Sequence, residues 1–210
     1  MRPPRHLLIL RFALVNVVAL ALALAAWLQG WLDDAFIGAS LWLCLIIIAV
    51  FVYGLALCGL RLWQVGRELD DAHDERPRAL TLATRYLAQV EGAAGDSRAT
   101  AASLLRLRLS QSLATVRHVA GMLVLLGLVG TVIGFVVALS GVDPVKVPSV
   151  ENVAPMVARL INGMSIALYT TLVGSVLNLW LMVGQRILAG GSLALYAAIV
   201  ELGERHARAR

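Results

Sequence analysis

Long apolar runs separated by short polar stretches dominate the pattern of this chain. A helix needs about 20 mainly apolar residues to cross the hydrocarbon of a bilayer, and four runs reach that length. They are Leu7 to Trp31, Phe36 to Trp63, Val119 to Ser140 and Met156 to Leu188. The pattern therefore predicts an all-α integral membrane protein with four transmembrane helices. We expect the first run to remain as a permanent helix, because AWLQGWLDD at its end is a poor signal-peptidase site.

Composition supports the membrane class. The 210 residues are 60% hydrophobic and only 15% charged, and the mean hydropathy is +0.81. A soluble domain of this length needs more charge to cover its core. The two cysteines, Cys44 and Cys58, lie within one apolar run, which favours ordinary buried residues over a disulfide framework or a metal cluster. We expect no cofactor.

The basic residues predict the orientation. If the N-terminus is inside the cell, sixteen of the 18 basic residues lie on the inner side, and only Lys146 and Arg159 lie outside. The positive-inside rule then places both termini in the cytoplasm, in a multi-pass protein of a bacterial inner membrane. A net charge of +5 could also indicate nucleic-acid binding. The arginines flank apolar runs, however, so membrane lipid is the better partner and no nucleic acid is expected.

The polar stretches divide the chain into four parts. These are an N-terminal transmembrane pair (1–63), a cytoplasmic helical segment (64–118), a second helix pair (119–190) and a cytoplasmic C-terminal tail (191–210).

The cytoplasmic segment is predicted to form a short helical hairpin. One helix is predicted from Pro77 to Glu91 and ends at GAAGDS (92–97). A second helix begins at Arg98 and continues into the third span, so the pair formed by the third and fourth helices extends beyond the membrane. On the outer side, the three prolines of residues 141–155 predict an irregular connector.

Small and uncharged polar residues recur at helical spacing in the last two spans. On the third span one side holds Gly127, Gly130, Thr131, Gly134, Ala138 and Gly141; on the fourth it holds Gly163, Ala167, Thr171, Gly174, Ser175 and Asn178. One interpretation is close helix packing, since small faces let backbones approach. The other is a lined cavity, because polar groups in hydrocarbon normally face protein or water.

The apolar runs lack a group that could carry a proton. All 13 acidic residues lie outside the four membrane cores, and the four histidines lie at or beyond the ends of the runs. A proton carrier commonly needs Asp, Glu or His inside the membrane. If ions cross here, the titrating carboxylate must therefore come from another polypeptide.

Two blocks of sequence resemble the MotA/TolQ/ExbB family of ion-channel stator subunits. They are LGLVGTVIGFVVAL (126–139), a glycine-threonine block, and NGMSIALYTTLVGSVLNLWL (162–181), which contains Ala-Leu-x-Thr-Thr-x-x-Gly. The resemblance implies a homopentameric ring around a dimer of single-span partners of the MotB/TolR/ExbD type. Each partner would bring one membrane aspartate, and protons or sodium ions flowing past it would drive a motor.

The resemblance also suggests roles for particular residues. Thr131 and Thr171 match the pore threonines of the family, and Thr170 is a neighbour of the second. With Ser175 and Asn178 they form the predicted ion pathway. The predicted helix-packing residues are Gly127, Gly130, Gly134, Gly163 and Gly174.

Three other functions remain as alternatives. A non-conducting membrane scaffold would use the glycine faces for packing alone. A solute transporter is disfavoured because no inverted repeat is visible. An enzyme is least favoured, since no nucleophile, base and orienting group converge on one site.

Overall fold

The chain folds into four long helices. The computed structural model describes residues 5–29, 40–71, 82, 84, 86, 95–140 and 150–208. The helices are α1 (Arg5–Leu28), α2 (Ser40–Asp71), α3 (Gly95–Leu139) and α4 (Val150–Arg208). Each contains a stretch that is long and apolar enough to cross a membrane. The prediction of four membrane-spanning helices is thus confirmed.

Helix α3 has 45 residues, about twice the length that a bilayer requires. Its course confirms the prediction that the helix from Arg98 continues into the third span. It already begins at Gly95, so the last three residues of the predicted break, 95–97, are helical. Because the N–H groups of a first helical turn have no partner within the helix, residues with weak helix propensity are tolerated there.

The preceding part of the predicted hairpin lies mostly outside the described residues. Of the helix predicted from Pro77 to Glu91, the structure describes Leu82, Thr84 and Tyr86, and all three are helical.

Helix α4, with 59 residues, is longer than the sequence predicts at both ends. It begins at Val150, so the last residues of the predicted irregular connector, including Pro155, are helical. A proline this near a helix start removes only a bond to a carbonyl of the first turn. At the other end α4 continues through Gly190 and Gly191 to Arg208, because neighbouring side chains bury this part. Neither the predicted boundary at 190/191 nor that at 63/64 coincides with a helix end.

The chain divides into two compact units. The first comprises Met1–Val17, Leu55–Arg117 and Val183–Arg210. Within it, α4 packs on both α1 and α2. A methyl group added at Gly184 would lie 3.3 Å from Phe12 Cε2 and 3.4 Å from Cys58 Sγ. One at Gly191 would lie 3.5 Å from Leu8 and from Val65.

The second unit comprises Val18–Gly54 and His118–Met182. Here Gly54 of α2 fits between Leu181 of α4 and Val119 of α3. One turn away, the rings of Phe51 and Trp180 stack at a tilt with centroids 5.0 Å apart. Such aromatic contacts add about 1 kcal/mol beyond the area they bury.

Much of the apolar surface has no partner within the chain. Only 6% of the most apolar stretch of α1 is buried, and the corresponding share for the other helices is 22–28%. Leu22, Leu24 and Leu28 of α1 are each about half or more exposed. Lipid or other polypeptides must cover so large an apolar surface, as expected of a multi-pass membrane protein.

Candidate functional site

The two stripes of small residues meet in one antiparallel contact between α3 and α4. As the residue number increases along α3, the number of the residue it contacts on α4 decreases, so the two helices are antiparallel. The pairs, in order along α3, are Gly127 with Gly174, Gly130 with Thr170, Gly134 with Ala167, and Ala138 with Gly163. All five glycines predicted to pack helices therefore lie in this contact.

At three of these glycines, Gly134, Gly163 and Gly174, the facing backbone is so close that no side chain could be added. A Cβ at Gly134 would lie 2.5 Å from the Ala167 backbone nitrogen and 2.6 Å from the Gly163 carbonyl oxygen. One at Gly174 would lie 2.7 Å from the Leu123 carbonyl oxygen. The expected cavity between facing stripes is thus replaced by direct backbone contact, because glycines let the helices close the gap. Any aqueous path beside these residues has to run along a flank of the contact.

Thr131 and Thr171 both lie on the same flank. Each is about 60° round its helix from the small contact residues. Because the helices are antiparallel, both offsets point to one side of the pair. Thr131 is half-buried and Thr171 is exposed in the single chain. Both hydroxyls thus border a surface that another polypeptide or water can reach.

The hydroxyls of this flank donate to two consecutive carbonyls of α3. Thr131 Oγ1 donates to the Leu128 carbonyl oxygen at 2.6 Å within its own helix. Thr171 Oγ1 donates across the contact to the Gly127 carbonyl oxygen at 3.1 Å. Each hydroxyl is thus held against a carbonyl oxygen without a formal charge. The remaining lone pairs of the hydroxyls can accept a hydrogen bond or coordinate a cation.

Thr170 occupies a different environment. It is fully buried, with 0% of its surface exposed, and its side chain packs against Gly130. Its hydroxyl donates to its own helix, to the Ile166 carbonyl at 2.9 Å and the Ala167 carbonyl at 3.1 Å. This back-bonding satisfies the hydroxyl where it cannot reach water. Thr170 lies within the packing contact, apart from the flank.

Ser175 and Asn178 continue the polar surface of α4 from Thr171. Ser175 is exposed and Asn178 is half-buried. Asn178 Nδ2 lies 3.9 Å from Met182 Sδ, a weak contact that leaves the amide able to bind other groups. Both side chains remain available to a neighbour outside the chain.

Two buried polar residues of α4 were not predicted from the sequence. Gln185 is 6% exposed and Ser192 is 3% exposed. Together with Thr171 and Asn178 they recur every seven residues, a spacing that keeps side chains on one slowly drifting helix face. This seven-residue repeat is the signal that could have found them. Among the described residues, no three His, Cys, Asp or Glu side chains gather to hold a metal.

A comparison with family models identifies the chain. Residues 88–199 match the model of the MotA/TolQ/ExbB proton channel family. This chain belongs to the MotA/TolQ/ExbB family. The match covers α3 and most of α4, including every pair of the contact, whereas α1 and α2 lie outside it. No curated protein and no solved structure matched the chain.

Membership of the MotA/TolQ/ExbB family gives the contact its functional context. The chain is a multi-pass membrane protein and a channel-type subunit. This is a family of channels and transport-coupling proteins and is not a known enzyme family. Its members work in oligomeric complexes with partner proteins. The α3–α4 contact is therefore the part of the chain in which ion-pathway residues are to be sought.

Proposed function

We propose that this chain is the inner-membrane ion-channel subunit of a motor, which couples proton flow down the electrochemical gradient to mechanical work. The observation that carries the proposal is the pair of hydroxyls at Thr131 and Thr171 on one flank of the α3–α4 contact. This flank lies inside the part of the chain that matches a proton channel family. Both termini lie in the cytoplasm in this proposal. One charge crossing 100 mV releases about 2.3 kcal/mol, enough for a modest conformational step.

The proton carrier in this proposal is an aspartate of a partner. Residues 12–28, 41–60, 119–139 and 160–185 contain no Asp, Glu or His. Because a hydroxyl does not titrate near neutral pH, the threonines cannot take up and release the proton themselves. We assign that step to the membrane aspartate of a single-span partner, present as a dimer, of the MotB/TolR/ExbD type.

In this proposal the hydroxyls of Thr131 and Thr171 form hydrogen bonds with the partner's carboxyl group. Beside the flank, a protonated carboxyl could donate to a threonine oxygen, and an ionised one could accept from water held there. Ser175 and Asn178 extend this polar surface along α4, while Thr170 has a packing role. Uncharged dipoles of this kind can orient a proton donor without the cost of burying a second charge.

A homo-oligomer, which we take to be a pentamer, completes the proposed channel. The exposed apolar side chains of α3 and α4 require cover. Leu125 and Phe135 of α3, and Leu168 and Leu179 of α4, are all at least 60% exposed. A ring of copies would place the same flank of each copy around a central partner.

Proton flux in vesicles tests this proposal. The chain is reconstituted with a single-span partner, and acidification is followed with an entrapped pH dye under an imposed potential. Flux is expected only when both polypeptides are present, and it should vanish when the partner's membrane aspartate is changed to asparagine. Flux through the chain alone, or undiminished flux with the asparagine partner, contradicts the proposal.

The tight backbone contact favours one second candidate, a non-conducting scaffold. In a scaffold the small residues only pack helices, so threonine substitutions on the flank are nearly silent. Substitutions of contact glycines would destabilise the packing of α3 on α4 in both functions. Threonine variants therefore distinguish the two, and glycine variants do not.

A further inference from the structure

Three helices carry an exposed arginine at one depth of the first unit. Gly184 of α4 contacts both Phe12 of α1 and Cys58 of α2, so these three positions lie at one level. Arg11 directly precedes Phe12, and Arg61 and Arg186 follow Cys58 and Gly184 by three and two residues, so each arginine lies within about 5 Å of that level along its helix axis. All three side chains are exposed. We call these three residues the arginine collar.

On α2 the collar coincides with a change in the character of the surface. Leu60, directly before Arg61, is an exposed apolar residue at 59%, whereas on α1 exposed apolar residues lie on both sides of Arg11, with Leu14 at 63% and Leu10 at 62%. Just beyond the collar on α2 lies Trp63, 49% exposed, with the Arg67 guanidinium 4.8 Å above its ring. Tryptophan collects at the boundary between hydrocarbon and headgroups. On α2 the collar therefore lies at the depth of the lipid phosphates, and Arg11 and Arg186 share that level.

The arginines point in different directions, so one compact ligand cannot bind them all. Gly184 faces α1 and α2, and Arg186, two residues later, is about 200° round α4. Its side chain therefore points away from the helices that carry Arg11 and Arg61. A single acidic peptide segment would reach only part of the collar. A shell of lipid headgroups reaches every side, and guanidinium groups bind phosphate oxygens in a bidentate manner.

We propose that the arginine collar binds anionic phospholipid headgroups around the first unit and thereby sets the depth of the bundle in the bilayer. Trp63 and Arg67 extend the binding surface on α2. This inference concerns lipid binding by the chain itself and does not depend on ion flux or on a motor partner.

Lipid-selective stabilisation tests the proposal. The detergent-solubilised full chain is titrated with phosphatidylglycerol or with phosphatidylcholine of the same acyl chains, and Tm and bound lipid by native mass spectrometry are recorded. We expect the anionic lipid to bind more tightly and raise Tm more. A triple variant with Arg11→Gln, Arg61→Gln and Arg186→Gln should bind it more weakly, by about fivefold for each arginine removed.

Two further variants control for charge and for folding. The corresponding triple lysine variant keeps the charges and should keep the preference for anionic lipid. Arg205→Gln removes an exposed arginine that lies about 28 Å further along α4, where it pairs with Glu201, and should leave the preference unchanged. If the glutamine variant does not fold, the proposal is tested by comparing the binding of phosphatidylglycerol and phosphatidylcholine to the unmodified chain and to the lysine variant.

Several outcomes would overturn the proposal. Equal binding of the two lipids is one, and full anionic selectivity in the glutamine variant is another. Equal stabilisation by soluble glycerol phosphate would show a free-phosphate site instead of a lipid site. Loss of a co-purifying acidic protein from the glutamine variant, with lipid selectivity retained, would assign the collar to a protein partner.

Discussion

At the scale of single residues, neighbouring threonines take different roles because they are 100° apart on the helix. Thr170 points into the contact and bonds to its own helix, whereas Thr171 reaches across to the Gly127 carbonyl. That carbonyl already accepts a helical hydrogen bond, so the hydroxyl adds a second one. A hydroxyl held in this way keeps its lone pairs free for an outside donor.

The Thr171 hydroxyl can be removed with little change in shape. We expect Thr171→Val to lower proton flux about fivefold or more, the scale of one lost hydrogen bond, with the oligomer intact. Flux in vesicles with the partner and size-exclusion chromatography measure the two effects. Thr115→Val, at an exposed position of the same chain whose hydroxyl bonds Gln111, is the matched control. Unchanged flux in Thr171→Val would refute the pathway role of this residue.

At the scale of elements, the α3–α4 contact depends on glycine where backbone meets backbone. A flexible side chain can move aside for a methyl group, but a backbone amide cannot. At Gly134 the neighbouring atoms are the Ala167 nitrogen and the Gly163 oxygen, so even alanine must push the helices apart. Because separation also moves Thr171 away from Gly127, packing and the proposed pathway are coupled at this contact.

Gly134→Ala should destabilise the protein by about 1–3 kcal/mol, the usual cost of overpacking. Thermal unfolding of the solubilised protein measures this. Gly121 is the matched control on the same helix, because an added Cβ there meets nothing within 4 Å. Gly121→Ala should be neutral or slightly stabilising, since alanine favours a helix over glycine by about 1 kcal/mol. Equal behaviour of the two variants would show that the contact is looser than described.

The last turns of α4 pack on another segment through a buried aromatic side chain. A Cβ at Gly203 would lie 2.7 Å from Tyr86 Cε1, and Tyr86 is 6% exposed. We expect Gly203→Ala to lower Tm and to make residues near Tyr86 more sensitive to limited proteolysis. Gly190→Ala, at an open position of the same helix, should do neither. An unchanged cleavage pattern in Gly203→Ala would argue against this contact.

At the scale of the whole molecule, charge and apolar surface decide how the chain lies in the membrane. Three of the four helices begin or end among arginines, and most of their apolar surface is left for lipid or for other chains. The asymmetry of the basic residues then selects the orientation, because translocating arginines is costly.

Reporter fusions test the proposed orientation. Green fluorescent protein fused after Arg210 should fluoresce, since it folds in the cytoplasm. Alkaline phosphatase fused within residues 141–149 should be active, since it folds only outside. The opposite pattern, with a dark C-terminal fusion and an inactive loop fusion, would show that both termini lie outside.

The sequence by itself determined the four apolar helices, the small-residue stripes and the absence of a titrating group in the membrane cores. These follow from composition and from the 3.6-residue period, which act within one helix. Periodicity also placed Thr131 and Thr171 on the same sides of their helices as the glycines. It could not show how close those faces come, because backbone separation depends on both helices at once.

Only the tertiary structure decided that the stripes touch directly, that Thr170 lies inside the contact and that Thr171 lies on its flank. It also decided that α4 continues past Gly190 and Gly191 to Arg208. Two adjacent glycines indicate a helix end by propensity. Packing of Gly191 against Leu8 and Val65 stabilises the helix there, and contacts between segments distant in sequence cannot be derived from local pattern.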